Sequence, residues 1–274
     1  MRRIILSLCF VLALAAPVYL SQSGAAGRSF TITVAAGSFG RHEMVISFDL
    51  PEELKDGRCV LRDETGRAVA LQVDGGRAAF VLSELKAGAT KSYRLEASQA
   101  PRAEAAQGVE AVRTAEGVFI TAAGRPVLTY RAGPGELPSA DVKPIFRRGG
   151  YIHPVYTPSG RIITDDYPED HRHHHGIWFA WTRTEFDGRR PDFWNMGDGT
   201  GKVEFVSLDE TWRGPVHAGL RAHHRYVDLS GPQPAAVLNE EWRVTVYNVG
   251  HRGAPYTMFD LISTQECATS SPLV

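Results

Sequence analysis

The residues between Tyr151 and Asn195 hold most of the side chains that can do chemistry. The stretch carries Tyr151-Ile152-His153-Pro154, Thr164 to Pro168, Asp170-His171-Arg172-His173-His174-His175-Gly176-Ile177-Trp178 and Asp192-Phe193-Trp194-Asn195. Five of the ten histidines and three of the five tryptophans lie there. Imidazoles titrate near neutrality and ligate metals, carboxylates orient them, and indoles present flat apolar faces. That mixture suits a wet, ligand-holding site.

Two chemistries fit the spacing. In the first, metal-free, a histidine donates or takes a proton while a carboxylate fixes its tautomer. The candidates are His153, Asp170, His171 and His174. In the second, histidines at i and i+2 of a strand sit about 6.6 Å apart on one side, so His171, His173 and His175 could hold a divalent metal. Asp166, Glu169 or Asp170 would complete a two-His, one-carboxylate set. Tyr151, Trp178, Asp192, Trp194 and Asn195 are the candidate ligand contacts, the indoles stacking on a sugar ring and the polar groups addressing hydroxyls. Trp181 reads as core.

The run Ile177-Trp178-Phe179-Ala180-Trp181 suggests one strand over His173 to Thr182. Its two faces would then carry His173, His175, Ile177, Phe179 and Trp181 on one side, and His174, Gly176, Trp178 and Ala180 on the other.

The elements that must position these groups read as strands. From Arg28 to Ala97 short alternating runs such as Phe30-Thr31-Ile32-Thr33-Val34 are divided by Gly, Asp and Pro, which predicts a small all-β sandwich over residues 27–97. Leu82 to Gly88 followed by Tyr93-Arg94-Leu95 resembles the tyrosine corner of fibronectin type III or immunoglobulin-like domains. Residues 98–107, rich in Ala, Gln, Pro and charge, read as a linker. Strands resume over residues 108–274, with long ones at Lys202–Asp209, Val216–Asp228 and Ala236–Asn248. In the last, Leu238, Trp242, Val244 and Val246 share a face with Glu240, an acid that must be paired or stand at the mouth of a site. An ion pair with an arginine is the favoured reading.

Composition bounds the rest. Met1-Arg2-Arg3, an apolar block from Ile4 to Ala16 and small residues near Ser23 to Ala26 have the order of an export signal, so residues 1–26 are expected to be a signal peptide and the protein periplasmic or secreted. A single N-terminal membrane anchor is the alternative. No second long apolar run follows. Removing residues 1 to 26 takes away two arginines and no acid, moving the formal charge from -1 to -3, which leaves no electrostatic footprint for nucleic acid. Cys59 and Cys267 either pair or remain as two buried thiols. His42-Glu43 lacks the second histidine of a zinc-protease helix, and Gly197-Asp198-Gly199-Thr200-Gly201-Lys202 lacks the hydroxyl residue and the helix of a phosphate loop.

The order of the motifs, Tyr151-Ile152-His153-Pro154-Val155, Thr157-Pro158-Ser159-Gly160, Thr164 to Pro168, Asp170-His171 to Trp178 and Asp192 to Asn195, resembles an exported bacterial family labelled PmoA-like, after a subunit of particulate methane oxygenase. The resemblance runs from about Gly108 to the C-terminus. It implies a β-supersandwich similar to galactose mutarotases, with a broad concave sheet for a sugar. Members of that family continue into a further glycine-rich strand ending in arginine, so this copy of the domain is expected to be incomplete.

The expectation is therefore an all-β protein, a small immunoglobulin-like sandwich followed by a larger mutarotase-like supersandwich. Its expected function is an exported carbohydrate-active enzyme, an epimerase, lyase or hydrolase using His/Asp acid-base chemistry. The alternatives are a metal-dependent oxygenase or hydrolase built on the histidine cluster, and a non-catalytic carbohydrate-binding protein.

Overall fold

The computed structural model describes residues 17–22, 29–98 and 107–274. Most of the expected signal peptide, and residues 99–106 of the expected linker, lie outside the described residues.

Period-two alternation builds the first sandwich. Its strands are β1 (Val18–Gln22), β2 (Ser29–Ala35), β3 (Arg41–Asp49), β4 (Cys59–Arg62), β5 (Ala68–Val69), β6 (Gln72–Asp74), β7 (Arg77–Leu85) and β8 (Thr90–Ala97). One sheet has the order β1-β2-β8-β4-β5 and the other β3-β7-β6. Phe30, Ile32 and Val34 of β2 turn inward at every second position and meet Phe80, Leu82, Tyr93 and Leu95 in one core. Tyr93 is buried there as the sequence suggests, and burial pushes its hydroxyl up to about 12.

The second sandwich comprises β9 (Val109–Arg113), β10 (Gly117–Ala122), β11 (Arg125–Arg131), β12 (Tyr151–Val155), β13 (Gly201–Trp212), β14 (His217–Asp228), β15 (Ala235–Tyr247) and β16 (Phe259–Cys267). The sheets have the orders β12-β11-β10-β9 and β13-β14-β15-β16, all antiparallel. Ile120, Leu128 and Tyr130 of the first pack with Leu220, Trp242 and Val244 of the second. β13, β14 and β15 fall where the alternation placed them, and Leu238, Glu240, Trp242, Val244 and Val246 do face inward together. Gly219 is needed opposite them, because a Cβ there would stand 2.0 Å from the Val244 carbonyl oxygen.

Two buried polar side chains join the sandwiches. The Gln72 amide oxygen accepts from the backbone N–H groups of Val216 and His217 at 3.1 and 2.9 Å, and its nitrogen donates to the His217 carbonyl. Glu43, 5% exposed, accepts from the backbone of Gly250, His251 and Arg252. Each satisfies backbone donors that burial would otherwise leave unpaired. Glu43 is thus a clamp between domains rather than part of a metal helix.

Cys59 lies in the core of the first sandwich and Cys267 is an exposed free thiol at the end of β16. Among the described residues no helix is long and apolar enough to cross a membrane.

Candidate functional site

Between β12 and β13 the chain leaves the sheets for residues 156–200, crossing over the rim of the second sandwich. The strand expected over His173–Thr182 does not form. Residues 168–174 instead make successive turns, with His171 N–H donating to the Pro168 carbonyl at 3.1 Å and His174 N–H to the His171 carbonyl at 2.9 Å. Isolated bridges take the place of a ladder, Asp166 to His175 and Ile177 to Ile152. Pro168 and the polar run after it favour turns over a ladder, so the histidines fan out and the two-faced arrangement is lost. Gly176, at φ +46, passes so close to β12 that a Cβ would meet the Ile152 carbonyl oxygen at 2.1 Å.

The fan separates the histidines into two environments. His175 is fully buried, and its Nδ1 donates to Asp166 at 2.7 Å. Tyr151 is buried beside it and donates its hydroxyl to the other oxygen of Asp166 at 2.9 Å. Tyr167, with the left-handed φ of +55, closes the edge of the His175 ring at 4.5 Å. Burial pushes His175 below its ordinary value, against the opposing pull of the Asp166 hydrogen bond, which keeps the ring neutral. Tyr151 is therefore a wall and a hydrogen-bond donor to Asp166, a correction to its assignment as a ligand contact.

His171, His173 and His174 form the outer group. The rings of His171 and His174 stack at 4.9 Å and 18°, and His173 stands edge-on to His174 at 4.3 Å. Asp170 lies 3.2 Å from His171 Nδ1, both side chains more than half exposed. His173 and His174 are both lowered, first by partial burial and then by neighbouring imidazoles, so both are neutral bases at pH 7. Trp194 meets the His174 ring edge at 5.2 Å.

The structure thus brings Asp170, His171 and His174 together. His153 belongs elsewhere, its Nδ1 against the Thr164 hydroxyl at 3.0 Å. The set His171, His173 and His175 is split between surface and interior. Among the described residues no three His, Cys, Asp or Glu side chains converge as a metal-holding group.

The candidate ligand contacts also sort themselves. Trp178 is covered: Trp194 stacks on it at 4.8 Å and the Arg148 guanidinium lies over its ring at 4.7 Å. It supports Trp194 instead of offering a platform. Asp192 is the keystone of a turn, one oxygen accepting from the backbone of Trp194 and Asn195 and the other from the Thr182 hydroxyl and the Asn195 amide. The side chains of Asp192 and Asn195 are engaged with each other, and their role is to hold Trp194 in place. Trp181 is half-buried, its N–H donating to Gln265 at 2.9 Å.

Below this loop lies a buried network that sequence reasoning reached only through Glu240. His224 and Glu240 stand directly opposite each other on β14 and β15, and their side chains meet at 3.2 Å. A carboxylate only accepts, so His224 Nδ1 carries the proton and Nε2 accepts from the Tyr130 hydroxyl at 2.8 Å. Ser263 and Gln265 also donate to Glu240, at 2.6 and 2.9 Å. Burial pushes Glu240 up, but these bonds outweigh it and hold the carboxyl below its usual range, while burial keeps His224 low. The partner of Glu240 is a histidine and not the expected arginine. Arg148, equally unforeseen, packs nearby. The alternation Ala218, Leu220, Ala222, His224, Tyr226 carried the signal for His224, a lone imidazole on an apolar face.

The family model of DUF6807, a family of unknown function, matches residues 117–274. That is more than half of the chain and includes every site residue described above, so the chain belongs to this family. Among curated proteins nothing matches it.

Proposed function

We propose that this DUF6807 chain is an exported carbohydrate-active enzyme that moves protons on a sugar or glycoside through the imidazoles of His171 and His174. Export rests on the Met1 to Ala26 pattern, although its Val18–Gln22 part is paired with β2 as strand β1. The observation that carries the chemistry is the grouping of two stacked imidazoles, a carboxylate on one of them, and an indole at the edge of the other, all at least partly open to solvent.

Each part has a chemical use. Asp170 takes the Nδ1 proton side of His171, which leaves Nε2 with its lone pair free to act as a base. His174, held neutral by partial burial and by His171, is the second base through Nδ1, because its Nε2 is sealed from solvent without a hydrogen-bond partner. In an epimerase one ring takes the proton of a substrate C–H and the other ring, already protonated, gives one to the opposite face; in a lyase the ring that takes the C–H proton gives it to the departing oxygen as the double bond forms. In a hydrolase one ring takes a proton from the water that adds to the anomeric carbon while the other, protonated, gives one to the leaving oxygen. Trp194, braced by Trp178 and the Asp192 turn, gives the ring an apolar surface.

The test is incubation of the protein in deuterated water with native sugars, oxidised sugars and aryl glycosides, followed by chromatography and proton NMR. Product or deuterium incorporation should appear with at least one substrate and fall about a hundredfold or more in His174→Ala, with unfolding by urea unchanged. Saturable sugar binding that depends on Trp194, without product or exchange anywhere in the panel, would identify a binding protein and overturn the catalytic reading.

A further inference from the structure

Arg148 is a buried cation whose partners are not carboxylates. It is 4% exposed. Its Nε and Nη2 donate to the carbonyls of Gly149 and Gly150 at 3.1 and 3.2 Å, and its Nη1 has no hydrogen-bond partner. Among the described residues no carboxylate forms an ion pair with it. Glu240, a carboxylate whose charge reaches it, is committed to His224, Ser263 and Gln265. A guanidinium does not lose its proton to relieve burial, and a buried charge without a paired counter-charge is one of the costliest features a fold can carry.

The same residue forms part of the wall of a cleft of about 250 Å³. Arg147 and Lys202 also line it, and Met196 and Phe205 supply apolar surface. The one acidic side chain there, Glu204, is paired with Lys202 at 2.6 Å. Three cations against one carboxylate give the cleft a positive field, and its apolar lining favours a ligand with a carbon body over a bare ion. At this volume it falls below the usual range for drug-sized ligands, so the occupant is small.

We infer that this cleft binds a small organic oxyanion, a carboxylate or phosphate carried on a body of about monosaccharide size, with Arg147 and Lys202 at its rim and the Arg148 charge in its wall. Nη1 of Arg148 is sealed from solvent by the side chains around it; the rim cations make the first contacts and Arg148 supplies the field behind them. The inference does not depend on the histidine group being catalytic.

Isothermal titration of the full chain with D-glucuronate, D-glucose 6-phosphate, inorganic phosphate and D-glucose tests it at low salt, where surface charges are least screened. Glucuronate or glucose 6-phosphate should bind saturably and glucose should not. Which of the two binds distinguishes carboxylate from phosphate. Arg147→Gln and Lys202→Gln should each weaken binding about five- to tenfold, and Arg148→Gln, which removes the field behind them but no direct contact, should weaken it less. Because Arg148→Gln removes a buried group, the rim variants decide the matter if it fails to fold. Glucose binding as tightly as the anions, binding of inorganic phosphate alone, binding unchanged in both rim variants, or no saturable binding by any probe would each overturn the assignment.

Discussion

Replacing Glu240 by glutamine changes no volume and tests the buried network directly. The carboxylate accepts three hydrogen bonds, from His224, Ser263 and Gln265 at 3.2, 2.6 and 2.9 Å. In Glu240→Gln the amide oxygen can keep Ser263 and Gln265, which share one carboxylate oxygen, while the new NH2 faces the Nδ1–H of His224. Donor then opposes donor. The imidazole can relieve this by moving its proton to Nε2, but the Tyr130 hydroxyl must then turn from donor to acceptor. The variant also removes a carboxylate charge that acts on Arg148. Because His224 is neutral, the loss is a charge-assisted hydrogen bond and not an ion pair; two buried donors left face to face cost about 1–3 kcal/mol, and relief through the tautomer should hold the loss to about 1.5 kcal/mol. Urea unfolding followed by tryptophan fluorescence is the assay, since all five tryptophans lie beyond residue 177 and report on the second sandwich. A loss below about 0.5 kcal/mol, the range of ordinary surface substitutions, would show that the network adds nothing and that its ionisation has been read wrongly.

Other expectations follow from the same contacts. Gly150→Ala places a Cβ 2.7 Å from the His224 ring at φ +77, so it should destabilise the second sandwich by about 1–3 kcal/mol, read by the same fluorescence; a neutral result would refute the close packing of that ring. Gln72→Leu removes the acceptor for the N–H groups of Val216 and His217 and should cost about 1–3 kcal/mol, seen in calorimetry as separation of the two sandwiches' transitions, with a single unshifted transition counting against the clamp. Acid should weaken the fold through His175 and His224, whose values are lowered by burial. The unfolded chain then binds more protons below an ordinary imidazole value of about 6.5, so stability is full above that pH and falls as pH drops toward the folded values, by at most about 1.4 kcal/mol per pH unit for each ring. Urea midpoints at pH 7.5, 6.5 and 5.5 check this, and a midpoint that rises on acidification would contradict the sign.

Where the chain alternates, its structure could be read from the sequence. The inward faces of β2, β14 and β15 follow period two, because one face of each strand meets an apolar core and the other does not. The site region resisted the same treatment. Ile177 to Trp181 has the composition of a strand, yet Gly176 and the turns after Pro168 bring Ile177 back onto β12 for a single bridge. Composition does not record that the chain has already found its partner. The histidine run stands out in the sequence, but its division into two environments does not, since whether His175 faces Asp166 or solvent depends on the path of the turn and not on spacing. Asp192 and Asn195 show the same limit: polar types were visible, while their mutual bonding was not. Arg148 was invisible because an arginine beside two glycines reads as a solvated turn until strands pack over it.

The two histidine environments explain how such a loop can carry reactive groups without losing its shape. His175 and Asp166 are joined at 2.7 Å in the interior, with Tyr151 adding a second bond to the same carboxylate, so the base of the loop is fixed by polar contacts that burial strengthens. His171 and His174, one turn earlier, contact each other and the edge of the loop, and Asp170 is largely exposed. Neighbouring residues of one run therefore differ in setting: the inner ring is buried and anchored, and the outer rings are the ones that the proposed function would use for proton exchange. The distinction can be measured. His175→Ala should cost stability and activity together, as it empties a fully buried site and takes from Asp166 one of its two side-chain donors, whereas His174→Ala should cost activity alone. If the two variants proved indistinguishable in urea, the separation of anchoring from reactive histidines would fail, and the outer group would have to be regarded as part of the scaffold.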